Sequence, residues 1–109
     1  MSQITTHILD TSVGKPAAGV AVVLYKQHDD YWDIIAANTT DQNGRITAFA
    51  DQNGKLVPGV YKLKFEVKEY FKGDVFFPFV EVTFIVNKGE HYHVPLLLSP
   101  FGYSTYRGS

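Results

Sequence analysis

From Val60 to Val67 apolar and polar side chains alternate: Tyr61, Leu63, Phe65 and Val67 are apolar, and Lys62, Lys64 and Glu66 fall between them. A period of two sends successive side chains to opposite faces of an extended chain, so this segment predicts a half-buried strand with one wet face. The same reading fits Val80–Val86, Val20–Lys26, Trp32–Ala37, Ile4–Asp10 and Tyr92–Leu98, with a shorter candidate at Arg45–Phe49. Turn chemistry separates these runs. Asn43-Gly44, Asn53-Gly54 and Pro58-Gly59 are tight-turn signals, and Asn87-Lys88-Gly89 predicts a turn closing the pair of strands around it. Only Lys68–Lys72 carries a helix signal, with Gly73 as its stop. The expected fold is all-β, a two-sheet antiparallel sandwich of seven to eight strands with one short helix. Phe76-Phe77-Pro78-Phe79 reads as a strand entry where proline is tolerated. Pro95 has no N–H to give, so it must sit at an edge, at a bulge, or with that position turned from a partner strand.

Composition narrows the function classes. With 45% hydrophobic and only 19% charged residues, the 109-residue chain has the material for one core and is expected to form a single domain over 1–109. The absence of cysteine excludes a disulfide framework, a thiolate metal site and a cysteine nucleophile. A net charge of −1, without a run of Lys and Arg, argues against nucleic acid and an anionic membrane as partners. The opening residues lack the basic start and apolar stretch of a secretory signal, and no apolar run reaches the length of a membrane span, so a cytoplasmic protein is expected, or a periplasmic or peroxisomal one if a targeting segment has been removed. Asn38-Thr39-Thr40 fits the glycosylation sequon by chance on this reading. Asp-Gln-Asn-Gly occurs at Asp41 and again at Asp51. Neither copy has the alternating acidic ligands and terminal Glu of a calcium loop, and both read as turns.

Strand parity decides which chemistry-bearing side chains can meet. On Tyr92–Leu98 the residues Tyr92, Val94, Leu96 and Leu98 share the apolar face, so His91, His93, Pro95 and Leu97 point the other way. On Ile4–Asp10, Ile4, Thr6 and Ile8 take one face and Thr5, His7 and Leu9 the other. Two histidines are thus expected to share an outer sheet face. His28, in Gln27-His28-Asp29-Asp30, reads as a loop residue. Chain ends commonly fray, yet the polar Tyr106-Arg107-Gly108-Ser109 comes soon after the apolar Val94-Pro95-Leu96-Leu97-Leu98, as if built into the fold.

Three separated segments carry a family resemblance. His91–Ser109, HYHVPLLLSPFGYSTYRGS, resembles the C-terminal signature of the 5-hydroxyisourate hydrolases, the transthyretin-related enzymes of urate breakdown, in which YRGS is a hallmark. Ile4-Thr5-Thr6-His7-Ile8-Leu9-Asp10 and Asn43-Gly44-Arg45 match the same family in order. The resemblance implies a transthyretin-like sandwich with its helix between the fifth and sixth strands, and a homotetramer with sites at the dimer–dimer interface. It implies that His7, Arg45, His93 and Ser109 are catalytic and that His7, Arg45 and Tyr106 bind substrate. The implied reaction is hydrolysis of 5-hydroxyisourate to 2-oxo-4-hydroxy-4-carboxy-5-ureidoimidazoline, with no cofactor and no metal.

These residue types suit that chemistry. Opening a cyclic acyl–nitrogen bond needs water made nucleophilic, and a neutral imidazole with an ordinary pKa near 6.5 is a usable base at neutral pH. Attack creates an oxyanion, which a permanently charged guanidinium such as that of Arg45 can stabilise. Arg45 is also expected to hold both imidazoles neutral. His91, two residues from His93, would with His7 supply three imidazoles for zinc, but no carboxylate is placed as a supporting partner. The rival reading is a transthyretin-like carrier of small aromatic ligands, which has no need for His7, Arg45 and His93 together.

Overall fold

A computed structural model describes residues 3–49 and 56–109. The Asn53-Gly54 turn and the second Asp-Gln-Asn-Gly, beginning at Asp51, lie outside the described residues. The strands are β1 (Ile4–Asp10), β2 (Lys15–Pro16), β3 (Ala21–Gln27), β4 (Trp32–Thr39), β5 (Arg45–Ile46), β6 (Gly59–Phe65), β7 (Val80–Val86), β8 (Tyr92–Ser99) and β9 (Gly102–Thr105), and one helix, α1 (Val67–Phe71), follows β6. They form a four-stranded sheet in the order β4-β3-β6-β7 and a five-stranded sheet in the order β2-β1-β8-β9, with β5 also on β1.

The inner faces follow the alternation. Ile4, Ile8, Leu96 and Leu98 of one sheet and Val22, Leu24, Leu63 and Phe65 of the other are all buried in one core. Each large aliphatic buried this way contributes about 1.5–3 kcal/mol relative to exposure. Leu63 and Phe65 alternate with the half-exposed Lys62 and Lys64, so β6 has the wet face its sequence predicts. No helix of the described residues is long and apolar enough to cross a membrane.

The expected all-β sandwich of two sheets with one short helix is what forms, and five of its details differ. The sandwich is not wholly antiparallel, because β1 and β8 pair in parallel from Ile4↔Tyr92 to Asp10↔Leu98. These strands are far apart in sequence, so no hairpin dictates their direction. The described residues form nine strands rather than seven or eight, since the two-residue β2 and the Gly-Tyr-Ser-Thr strand β9 lack apolar alternation. β6 ends at Phe65 and Val67 begins the helix, although its side chain stays in the core. The helix starts one residue early, and Lys72 rather than Gly73 takes the left-handed conformation that ends it, at φ 56°. Lastly, Asn87-Lys88-Gly89 does not close a hairpin, because β7 and β8 belong to different sheets; Asn43-Gly44 likewise carries the chain across from β4 to β5. A turn signal specifies a local reversal and leaves open which sheet the next strand joins.

The candidate at Arg45–Phe49 shrinks to Arg45–Ile46, with Phe49 still buried. Pro95 sits inside β8 between two partner strands, in a gap of the ladder. The β9 pairing stops at Leu96↔Thr105, the next contact is the isolated His93↔Gly108 bridge, and the Thr105 hydroxyl donates to the Pro95 carbonyl at 2.6 Å.

At the end of β1 the buried Asp10 carboxylate ties the sandwich to the helix. Tyr70 donates its hydroxyl to Oδ2 at 2.8 Å, while the Ser12 hydroxyl and backbone N–H donate to Oδ1 at 2.5 and 3.0 Å. Burial, then the bond to Asp10 and its charge, push the Tyr70 pKa up to about 12. Hydrogen bonds to charged groups contribute about 1.5–3 kcal/mol, so Tyr70→Phe should lower the unfolding free energy by roughly that amount in urea denaturation. A change below about 0.5 kcal/mol, the size typical of surface substitutions, would show that water replaces the phenol.

Candidate active site

The outer face of the five-stranded sheet collects the chemistry-bearing side chains. On β1 the core takes Ile4, Thr6 and Ile8, so Thr5 and His7 project outward. β5 lies on one side of β1, where Arg45 is the cross-strand partner of His7. β8 lies on the other, where His93 is the partner of Thr5. Ile46 is buried and Arg45 exposed, so parity turns the guanidinium to the same outer face as the imidazoles.

The Asp-Gln-Asn-Gly turn holds β5 in place. The Asp41 carboxylate accepts the N–H groups of Asn43 and Arg45 at 2.8 and 3.0 Å, and the Gly44 carbonyl accepts the N–H of Ile8 at 2.8 Å. Gly44 has φ 72°, and a Cβ there would stand 2.5 Å from the Ile8 carbonyl oxygen. Only glycine satisfies both the left-handed backbone and that approach to β1. Asp41 is the turn's own cap, as the turn reading of this motif requires.

The tail is docked. Gly108 donates its N–H to the His93 carbonyl at 2.8 Å. A Cβ on Gly108 would lie 2.6 Å from His93 Cδ2 and 3.1 Å from Pro95 Cγ, so its bare backbone rests against the imidazole. Arg107 stands 4.6 Å from the centre of the Tyr92 ring and reaches Glu90 at 3.2 Å. The polar end of the chain is part of the fold, and Ser109 follows directly on the residue that touches His93.

The His93 ring has a further partner. Thr5 Oγ1 lies 2.8 Å from His93 Nδ1 and 3.2 Å from His91 Nε2. Both imidazoles of the site have pKa values below the ordinary 6.5. For His7 the chief cause is burial, followed by the Arg45 charge; a backbone hydrogen bond to Asn43 and the Asp41 carboxylate oppose them. For His93 burial again leads, followed by His7, His91 and Arg45. The expected direction holds, but desolvation outranks the Arg45 cation that the sequence reading credited.

His7, Arg45 and His93 therefore meet on one face, with Gly108 against His93. Tyr106 is placed differently. It is exposed and, with Thr105 and Arg107, borders a mostly apolar cavity of about 340 Å³ whose lining includes Val82, Phe84, Tyr92 and His93 but neither His7 nor Arg45. His28 lies apart, stacked on Tyr31 and 3.6 Å from the Asp33 carboxylate. Among the described residues no group of three His, Asp or Glu side chains is arranged to hold a metal ion. His91 and His93 instead converge on the Thr5 hydroxyl. The sequence reading missed Thr5 and Gly108. Parity had put Thr5 beside His7, which is the signal that was available for it; for Gly108 the reason lies in a contact between distant strands.

Known proteins resemble this chain over nearly all of its length. The family model described as "Transthyretin: HIUase/Transthyretin family" matches residues 4–108. A curated 5-hydroxyisourate hydrolase of Salmonella typhimurium is 48% identical, over 97% of this chain and 80% of that protein. The solved structure of Klebsiella pneumoniae 5-hydroxyisourate hydrolase aligns with a TM-score of 0.85 at 37% identity, covering 97% of this chain and 98% of the other. Transthyretin from Sparus aurata aligns with a TM-score of 0.88 at 33% identity, covering 99% of this chain and 97% of the other. Fold similarity does not separate hydrolase from carrier, so the side chains on the outer face must.

Proposed function

This chain belongs to the HIUase/transthyretin family and hydrolyses 5-hydroxyisourate in urate degradation, and from that premise we propose that His7, Arg45, His93 and Ser109 carry the reaction. The observation that supports the assignment is the meeting of two imidazoles, held below their ordinary pKa, with the exposed Arg45 on one sheet face. One imidazole takes a proton from water. The resulting hydroxide attacks the cyclic acyl carbon, and Arg45 stabilises the oxyanion. The carbon–nitrogen bond then breaks, the ring nitrogen takes a proton from the same imidazole, and the acyl carbon leaves as a carboxylate. The product is 2-oxo-4-hydroxy-4-carboxy-5-ureidoimidazoline. Ser109 orients an imidazole or passes the proton. Tyr106 packs on the flat substrate ring from the flank of the site.

The reaction is read from the ultraviolet decay of freshly generated 5-hydroxyisourate, which also decays unaided. Acceleration by the protein is the expected result, and its absence would move the reading to a transthyretin-like carrier of small aromatic ligands. The pH profile carries its own sign. Only neutral imidazole is a base, and both folded values lie below 6.5, so kcat/KM should be flat through pH 7 and fall on acidification with a midpoint below 6.5. A midpoint above 6.5 would contradict the environment described for both rings.

A homotetramer with sites at the dimer–dimer interface belongs to the same proposal. The imidazoles and Arg45 lie on the outer face of a sheet, which supplies one wall, whereas small-molecule sites are concave. A second subunit supplies the other wall. Sedimentation of the active species should give the tetramer, and an active monomer would sink this part.

A further inference from the structure

We propose that Thr5 and His91 together hold His93 in the tautomer with its proton on Nδ1, leaving Nε2 as the free lone pair that serves as the base. The proposal rests on the catalytic reading above, which it deepens by giving His93 the base role and assigning two positioning residues.

Thr5 is 5% exposed, and its hydroxyl lies within hydrogen-bond distance of exactly one nitrogen of each of two imidazoles, His93 Nδ1 at 2.8 Å and His91 Nε2 at 3.2 Å. A hydroxyl has one proton to give, and each neutral imidazole has one donor and one acceptor nitrogen. The hydroxyl oxygen also has two lone pairs, so both contacts are satisfied in three ways. His91 donates to Thr5 and Thr5 donates to His93 Nδ1; or His93 donates from Nδ1 to Thr5 and Thr5 donates to His91 Nε2; or both imidazoles donate to Thr5. The first arrangement puts the proton of His93 on Nε2 and leaves it no lone pair for the substrate side. The other two make Nε2 a base, and of these only the second also gives the Thr5 proton an acceptor. Gly108 packs against the Cδ2–Cγ edge of the ring.

The surroundings keep the His93 ring singly protonated before reaction: burial leads, and the groups that face it, His7 on β1, His91 just before β8 and Arg45 on β5, each disfavour a second proton. His91 is exposed, so water solvates a charge placed on it. When Nε2 accepts a proton from water, the Nδ1 proton moves to the Thr5 oxygen as the Thr5 proton moves to His91 Nε2. His93 is left neutral with its proton on Nε2, and as that proton passes to the leaving nitrogen the relay runs back, His91 Nε2 to Thr5 and Thr5 to His93 Nδ1, so that both imidazoles end as they began.

The test is histidine labelled with ¹⁵N, read by two-bond proton–nitrogen correlation above the titration range of the rings, in the wild type, Thr5→Val, Thr5→Ser and His91→Ala. The wild type and Thr5→Ser should show His93 protonated on Nδ1. Thr5→Val and His91→Ala should shift it toward the Nε2 form, and Thr5→Val should lower kcat/KM about 10–100-fold with KM little changed, the range found when the partner that orients a metal-bound imidazole is removed. A wild-type ring protonated on Nε2, or an Nδ1 form that persists in Thr5→Val, overturns the proposal. The spectra do not depend on turnover. An active His93→Ala enzyme would defeat the catalytic reading while leaving the tautomer result to stand or fall alone.

Discussion

Replacing either imidazole should nearly abolish turnover: His7→Ala and His93→Ala are each expected to lower kcat/KM by about 10²–10⁴-fold, the range for a positioned acid–base group. The two losses should not add in the double variant, because groups that act as one unit are lost together. Both side chains project from the outer face, away from the core built by Ile4, Ile8, Leu96 and Leu98, so unfolding midpoints should change little. A His93→Ala variant that retains more than about a tenth of the wild-type rate would remove His93 from the acid–base machinery, since such groups contribute at least 10²-fold.

The second large effect falls on a residue with no functional group. Gly108→Val should cost about 10²-fold in kcat/KM, the loss that a misplacement of about 1 Å can cause. A Cβ at this position meets His93 Cδ2 at 2.6 Å, nearer than nonbonded carbons approach, and Pro95 Cγ at 3.1 Å. Pro95 is buried in the middle of a sheet and cannot yield, so either the imidazole turns or the tail lifts off. Lifting also carries Ser109 away. Among the described residues Gly108 joins the sheet through the single isolated bridge to His93, so the effect on stability should stay within about 0.5 kcal/mol. Stopped-flow assay beside thermal unfolding separates the two quantities. Full activity in Gly108→Val would mean that the tail does not bear on the reacting imidazole.

Gly108 and Gly44 are both glycines of matched motifs, but they are required for different reasons. At Gly44 the backbone is left-handed, and a Cβ would strike the strand that carries His7. At Gly108 the demand is for space beside His93 alone. Losing the first displaces Arg45; losing the second displaces His93.

The alternation in β6 and β8 determined which side chains fill the core, because a strand has only two faces and one of them must be dry. The same parity put His7 on the outer face of β1 and His93 on that of β8, and three motifs in order identified the family. What parity could not supply was direction and neighbourhood. β1 and β8 run parallel, β5 adds to the edge of β1, and the turns at Asn43-Gly44 and Asn87-Lys88-Gly89 cross between sheets; local backbone chemistry is indifferent to each of these choices. They follow from closing two sheets over one core. Only that closure brings Thr5 between His91 and His93 and lays Gly108 on the imidazole, since both contacts join residues more than ten positions apart or on different strands. The kinds of residue that do chemistry here are legible one strand at a time. Their arrangement exists only where three strands and the chain's end pack side by side, with burial lowering the proton affinity of both imidazoles.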